Sequence, residues 1–139
     1  METEFADYET SKRLKALSFN EGCLAQWNSL EHEQFISMFH DGGDRRYINA
    51  KDKNITAPIW QQVKEWLWDN HKIRIDVLSY GVFPDCDFLS TVLLKEETLV
   101  QTIFQTPIEA EIEGIKIAVK YLSDTAVAVT PINTSANGA

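Results

Sequence analysis

Between Ala57 and about Asn70 the apolar residues Ile59, Trp60, Val63, Trp66 and Leu67 recur at helical spacing and fall on one face. Thr56 suits the cap of that helix and Pro58 its first turn. Ile73, Ile75 and Val77 then alternate with polar residues, as in a half-buried strand, until the pattern blurs at Leu78; Gly81 and Pro84 punctuate it. Phe88–Leu94 and Leu99–Gln105 are rich in β-branched and aromatic residues, and Lys95–Thr98 between them is short enough for a hairpin loop. A helix start follows on agreeing signals, with Thr106 as cap, Pro107 at the first helical position and Glu109 three residues after the cap. This helix is expected to run to about Leu122. Ile108, Ile112, Ile115, Val119 and Leu122 form a stripe to cover the sheet, and Ala110, Gly114, Ile117 and Tyr121 form a second stripe nearly opposite.

Gly114 at the centre of that helix costs about 1 kcal/mol relative to alanine, so close approach of another backbone is expected there. Two covers fit the second stripe: the amino-terminal helix of the same chain, through Leu14 and Leu17, or the same helix of a second subunit. The first gives a monomer and the second a homodimer.

The first 56 residues are less regular. Tyr8–Phe19 reads as a helix capped by Asp7 or Thr10, Gly22 marks a break, and Cys23–Trp27 fits a short strand. Leu30, Phe35, Met38 and Phe39 suit a helix over about 29–40 as well as a strand within a hairpin. Asp41-Gly42-Gly43-Asp44 is a turn by chemistry, and the residues after Ser123 read as a frayed tail, with Val127 and Val129 as a weak edge strand. The expected architecture is α+β: one domain over 1–122 with a three-stranded antiparallel meander packed by helices, an extra amino-terminal helix, and a tail over 123–139.

Three segments carry a family resemblance. Leu14 to Ala25, with Phe19, Glu21, Cys23 and Ala25, resembles the opening "helix, then G-F-x-E-P-C-x-A" of small uncharacterised proteins of Bacteroidota genomes, their phages and mobile elements. Ala57-Pro58-Ile59-Trp60-Gln61-Gln62-Val63-Lys64-Glu65-Trp66-Leu67 is similar to their "A-P-x-x-Q-x-V-x-x-W-L" segment, and Thr106–Leu122 to their closing helix. Ser18 and Gly22 stand where that family has Gly and Pro, and Trp68 and Asp69 where it often has Arg and Glu. The resemblance implies an architecture and a mobile-element setting, without a reaction or a cofactor.

Composition narrows the function classes. The 139 residues are 44% hydrophobic and 24% charged, which excludes a wholly disordered chain. Their net charge of -8 disfavours non-specific attraction to nucleic acid or an anionic membrane. Met1-Glu2-Thr3-Glu4 lacks the basic start of a secretion signal, and no apolar run approaches the roughly 20 residues of a membrane span, so a cytoplasmic protein of a bacterial host cell is expected. Cys23 and Cys86 are accordingly expected as free thiols.

Candidate chemistry is sparse. Glu31-His32-Glu33 lacks the second histidine of a metalloprotease motif, since Ile36 occupies that position, and His32, His40, Cys23 and Cys86 have no metal-ligand spacing, so no metal is expected. Helix, three strands, helix is also the order of double-stranded RNA-binding domains, but Glu109, Glu111 and Glu113 stand where those place basic residues. From Asp85 to Glu113 there are seven acidic residues and a single lysine. Asp85, Asp87, Glu96, Glu97 and Glu113 are therefore candidates for steering a basic protein partner, against the alternative of a solvated edge. Trp68 projects off the apolar face of its helix and is either an interface aromatic or covered by residues 23–49. Together with Gly114, Ile117 and Tyr121 these residues make up the expected protein-binding surface of a non-enzymatic interaction protein, one acting on another protein such as a host enzyme. The alternative is a small enzyme or ligand binder with a pocket between the sheet and residues 23–49, using His32, His40, Arg45 or Arg46.

Overall fold

The computed structural model describes residues 4–30, 33–38, 55–82 and 84–138. In chain order the elements are α1 (Tyr8–Ala16), β1 (Ala25–Leu30), β2 (Glu33–Met38), β3 (Ile55–Thr56), α2 (Trp60–His71), β4 (Ile73–Tyr80), β5 (Asp87–Leu94), β6 (Glu97–Phe104) and α3 (Pro107–Gly138). The fold is thus mixed α+β. Where the length predicts one domain, the chain groups into two compact units, one of residues 1–6 and 58–118 and the other of 7–57 and 119–139.

In the first unit β4, β5 and β6 form an antiparallel meander in sequence order. Its hairpin turn is only two residues long, Lys95 and Glu96, both at positive φ. That geometry matches the right-handed twist of the strands, and it normally falls to Asn-Gly. An irregularity between Val92 and Leu93 shifts the β5–β6 register, so that Val92 faces Val100 and Leu93 faces Thr98. Trp60, Val63, Trp66 and Leu67 of α2 are buried with Ile73, Ile75, Val92, Ala110 and Ile115. Helix α2 starts later than its capping signals suggest: Ile59 occupies the N-cap without a side-chain bond, Ala6 N–H donates to Pro58 C=O at 2.7 Å, and Phe5 bridges to Ile59. Thr56 does not cap it, because that residue is committed to β3.

The buried face of α3 falls between the two expected stripes, taking Ala110 and Gly114 from one and Ile115 from the other. A Cβ on Gly114 would meet Ser90 Oγ at 2.5 Å and Ile75 Cγ2 at 2.8 Å, so Gly114 lies against β4 and β5, and Ala110 one turn before it is fully buried. Ile108 is 70% exposed instead. Hydropathy ranks Ile above Gly, but a helix closes on a sheet along the row of residues that lets the backbones come nearest. The expected second stripe, away from the sheet and open to a helix cover, is corrected on this point: Gly114 is buried against the meander, Ile117 is half-buried and Tyr121 is exposed. At the other terminus of its start, α3 behaves as its sequence suggests, with Thr106 Oγ1 accepting from Glu109 N–H at 3.1 Å.

In the second unit Asp7 caps α1, its Oδ1 accepting from Thr10 N–H at 2.9 Å. The helix closes with Phe19 N–H on Leu14 C=O at 2.9 Å and Ser18 N–H on Lys15 C=O at 3.1 Å, while Ser18 sits at φ 67°. This bonding is the Schellman pattern, and it ends α1 before Phe19. The segment that is undecided by periodicity is a hairpin: β1 pairs antiparallel with β2, from Ala25 opposite Met38 to Leu30 opposite Glu33, and β3 adds on the other side of β1. Tyr8 meets Trp27 edge to face at 6.1 Å. Helix α3 continues through residues 119–138 in place of the expected tail and edge strand; no Gly or Pro stands between Gly114 and Pro131 to stop it.

Candidate functional site

The first unit carries a groove of about 470 Å³ between α2 and β4. Gln61, Lys64, Glu65, Trp68 and Asp69 line it from α2, a row generated by steps of three and four along the helix on the side next to the buried one. Ile73, Arg74 and Ile75 supply the β4 wall. Left-handed Lys72, at φ 54°, ends α2 and turns the chain directly into β4, which is why the two elements flank one cleft. Trp68 is 44% exposed, and the Lys72 ammonium lies 5.0 Å from its ring centroid. That cation–π contact restrains the indole while leaving much of its surface in water.

The cations around the groove are already engaged. Lys64 Nζ pairs with Glu111 Oε1 at 2.9 Å, and Arg74 pairs through Nε with Asp76 Oδ2 and through Nη1 with Glu96 Oε1, both at 3.1 Å. Glu65 accepts a bond from Gln61 at 3.4 Å, and neither Glu65 nor Asp69 has an ion-pair partner among the described residues. The cleft thus offers an exposed aromatic beside two carboxylates that have no ion pair among the described residues. Behind it, the His71 ring meets Trp66 at 4.7 Å between centroids, and burial lowers the His71 pKa below its ordinary 6.5.

A second hollow of about 510 Å³ is lined by Glu4, Ile59, Trp60, Gln61, Ile108, Glu111 and Ile112. Lys116 Nζ stands 5.8 Å from the Trp60 ring beside it and also pairs with Glu113 at 3.2 Å. The outer face of the meander, opposite α3, carries a cross-strand apolar row in which Leu78 faces Leu89 and Leu89 faces Ile103. Leu78 is 59% and Ile103 48% exposed. The blurred alternation at Leu78 is the sequence signal for this row.

The acidic residues do not form one patch. Asp85 and Asp87 stand at one end of β5, and Glu96 and Glu97 just past the other. At about 3.4 Å per residue the strand holds these pairs some 24 Å apart, several times the Debye length of about 8 Å. Glu96, Glu111 and Glu113 are each compensated by a basic side chain, whereas Asp85, Asp87, Glu97 and Glu109 have no ion-pair partner among the described residues. The seven carboxylates are thus divided among the two ends of β5 and the first turns of α3. His32, His40, Arg45 and Arg46 lie outside the described residues. Cys23 is buried, its Sγ donating to Glu21 C=O at 3.4 Å, and Cys86 is half-buried; both are free thiols.

Comparison with protein-family models, with curated proteins and with solved structures finds no match to this chain. No activity is therefore carried over from a relative. Among the described residues no three His, Cys, Asp or Glu side chains gather as a metal site, and no helix is long and apolar enough to cross a membrane.

Proposed function

We propose that the chain is a small non-enzymatic interaction protein that binds another protein through the α2–β4 groove, with Trp68 as the anchor. The observation that carries this reading is the half-exposed, cation-restrained indole at the mouth of a cleft. An aromatic with only two side-chain torsions gives large contact area at small entropic cost, and tryptophan is enriched among residues that dominate binding energy. The partner presents a basic, partly apolar segment, since Glu65 and Asp69 flank the indole without an ion pair among the described residues and the chain carries a net charge of -8. The resemblance to phage and mobile-element proteins supports a host protein as that partner, with inhibition of a host enzyme as the role.

The test is affinity capture from host lysate with the parent chain, with Trp68→Ala, and with Glu65→Gln combined with Asp69→Asn. Trp68→Ala is expected to lose the captured protein while keeping the parent's melting temperature. The charge-neutral variant is expected to slow association and flatten its salt dependence. A partner retained undiminished by Trp68→Ala refutes the assignment of the groove.

A further inference from the structure

Strand β6 is an edge of the meander, with β5 on one side and no strand on the other among the described residues. Lys95 N–H bonds to Lys72 C=O at 3.3 Å, which sets the alternation along β5: Leu89, Thr91 and Leu93 exchange main-chain bonds with β4, and Phe88, Ser90 and Val92 with β6. Thr102 and Phe104, opposite Ser90 and Phe88, are satisfied in this way. Gln101 and Ile103 consequently turn their N–H and C=O groups to the empty side.

Natural edge strands are blunted by charge, by proline or by a covering element. Here no charged residue stands between Glu97 and Glu109, and the first proline, Pro107, lies beyond the strand. The irregularity at Val92/Leu93 spoils only the start of β6. Gln101 is exposed, and Val100 and Ile103 are 36% and 48% exposed, so nothing among the described residues covers this edge.

We infer that β6 pairs antiparallel with β6 of a second copy about a two-fold axis at Thr102, joining two meanders into one six-stranded sheet. The sequence is self-complementary in that register. Thr102 meets its own symmetry mate, Val100 meets Phe104 of the mate, and Gln101 meets Ile103, so the two outward-facing residues of each strand exchange about four main-chain bonds across the axis. Thr–Thr and aromatic–β-branched combinations are among the favourable cross-strand pairs, and no like charges come opposite each other. The axis is perpendicular to the sheet, which keeps both α3 helices on one face. Because α3 lies over Ile75 and Ser90 on the two other strands, the half-exposed Val100 on that face is left open for the mate's Phe104. An edge pairing of this length buries less than the roughly 1,200 Å² of a standard interface, as in weak or transient associations.

Sedimentation velocity on the full chain, over a concentration series from low to high micromolar, tests this. The parent is expected to pass from monomer to dimer. Thr102→Glu and Thr102→Lys, each of which sets two like charges against each other on the axis, are each expected to remain monomeric, and an equimolar mixture of the two to dimerise. Gln101→Pro removes an outward N–H that the monomer does not use, so it is expected to block dimerisation and leave the dilute melting temperature unchanged. A parent that stays monomeric throughout overturns the proposal and leaves the edge to a strand of another protein. Dimers that survive Thr102→Glu, or a charge-reversed mixture that fails to associate, overturn it equally.

Discussion

Substituting Gly114 tests how tightly α3 packs on the meander. A glycine inside a helix normally gains about 1 kcal/mol on replacement by alanine, and an exposed one does so reliably. At Gly114 the new methyl would lie 2.5 Å from Ser90 Oγ and 2.8 Å from Ile75 Cγ2. The serine hydroxyl can swing to another staggered position. Ile75 has less freedom, because it is β-branched, 2% exposed and held in β4 between its neighbours. Helix α3 must therefore lift by several tenths of an ångström along its packed length. Overpacking of this kind costs about 1–3 kcal/mol. Set against the propensity gain, Gly114→Ala is expected to destabilise by about 1 kcal/mol, and Gly114→Leu by several times that. Urea denaturation followed by tryptophan fluorescence reads the midpoint directly. The partner variant Ser90→Ala removes a buried hydroxyl that has no hydrogen-bond partner among the described residues, so it should be neutral or stabilising alone and should recover part of the Gly114→Ala loss in the double variant. A Gly114→Ala chain about 1 kcal/mol more stable than the parent would show that the glycine faces open space and would refute the packing argument.

Three further outcomes are expected. Ser18→Gly, at φ 67° in the Schellman closure of α1, should raise stability by about 1 kcal/mol, read as a higher melting temperature; no change would mean the left-handed residue is not strained. Lys95→Asn with Glu96→Gly should stabilise the β5–β6 hairpin by a similar amount, since the lost Arg74–Glu96 pair is exposed and worth little, and a lower midpoint in the same melt would contradict the turn geometry. The His71 pKa is lowered in the fold, so the unfolded chain takes up a proton first as pH falls below 6.5; stability should decline from there until the folded-state pKa is passed, and His71→Gln should flatten that part of a melting-temperature profile.

What the sequence determined by itself is what depends on a residue and its near neighbours. Thr106, Pro107 and Glu109 start α3 because a hydroxyl, a fixed φ and a carboxylate all suit the first turn of a helix. Trp60, Val63, Trp66 and Leu67 are buried because helical spacing puts them on one face, and Ile73 and Ile75 are buried because strand spacing does the same. The meander follows from three short strands joined by short turns. The tertiary structure alone decided choices between local options of similar energy. Hairpin β1–β2 won over a helix through pairing partners thirteen residues apart at its open end, Ala25 and Met38. The sheet-facing side of α3 was turned by shape, where Gly114 clears Ile75 and Ser90, so that Ile115 of the hydropathy stripe is buried and Ile108 is not. Asp85 and Asp87 were parted from Glu96 and Glu97, close in sequence, because a strand carries the chain some 24 Å in seven steps. Trp68 acquired its groove only when Lys72 turned the chain into β4. Periodicity and capping are read within a few residues, whereas facing, register and exposure are properties of whichever surface the fold brings opposite.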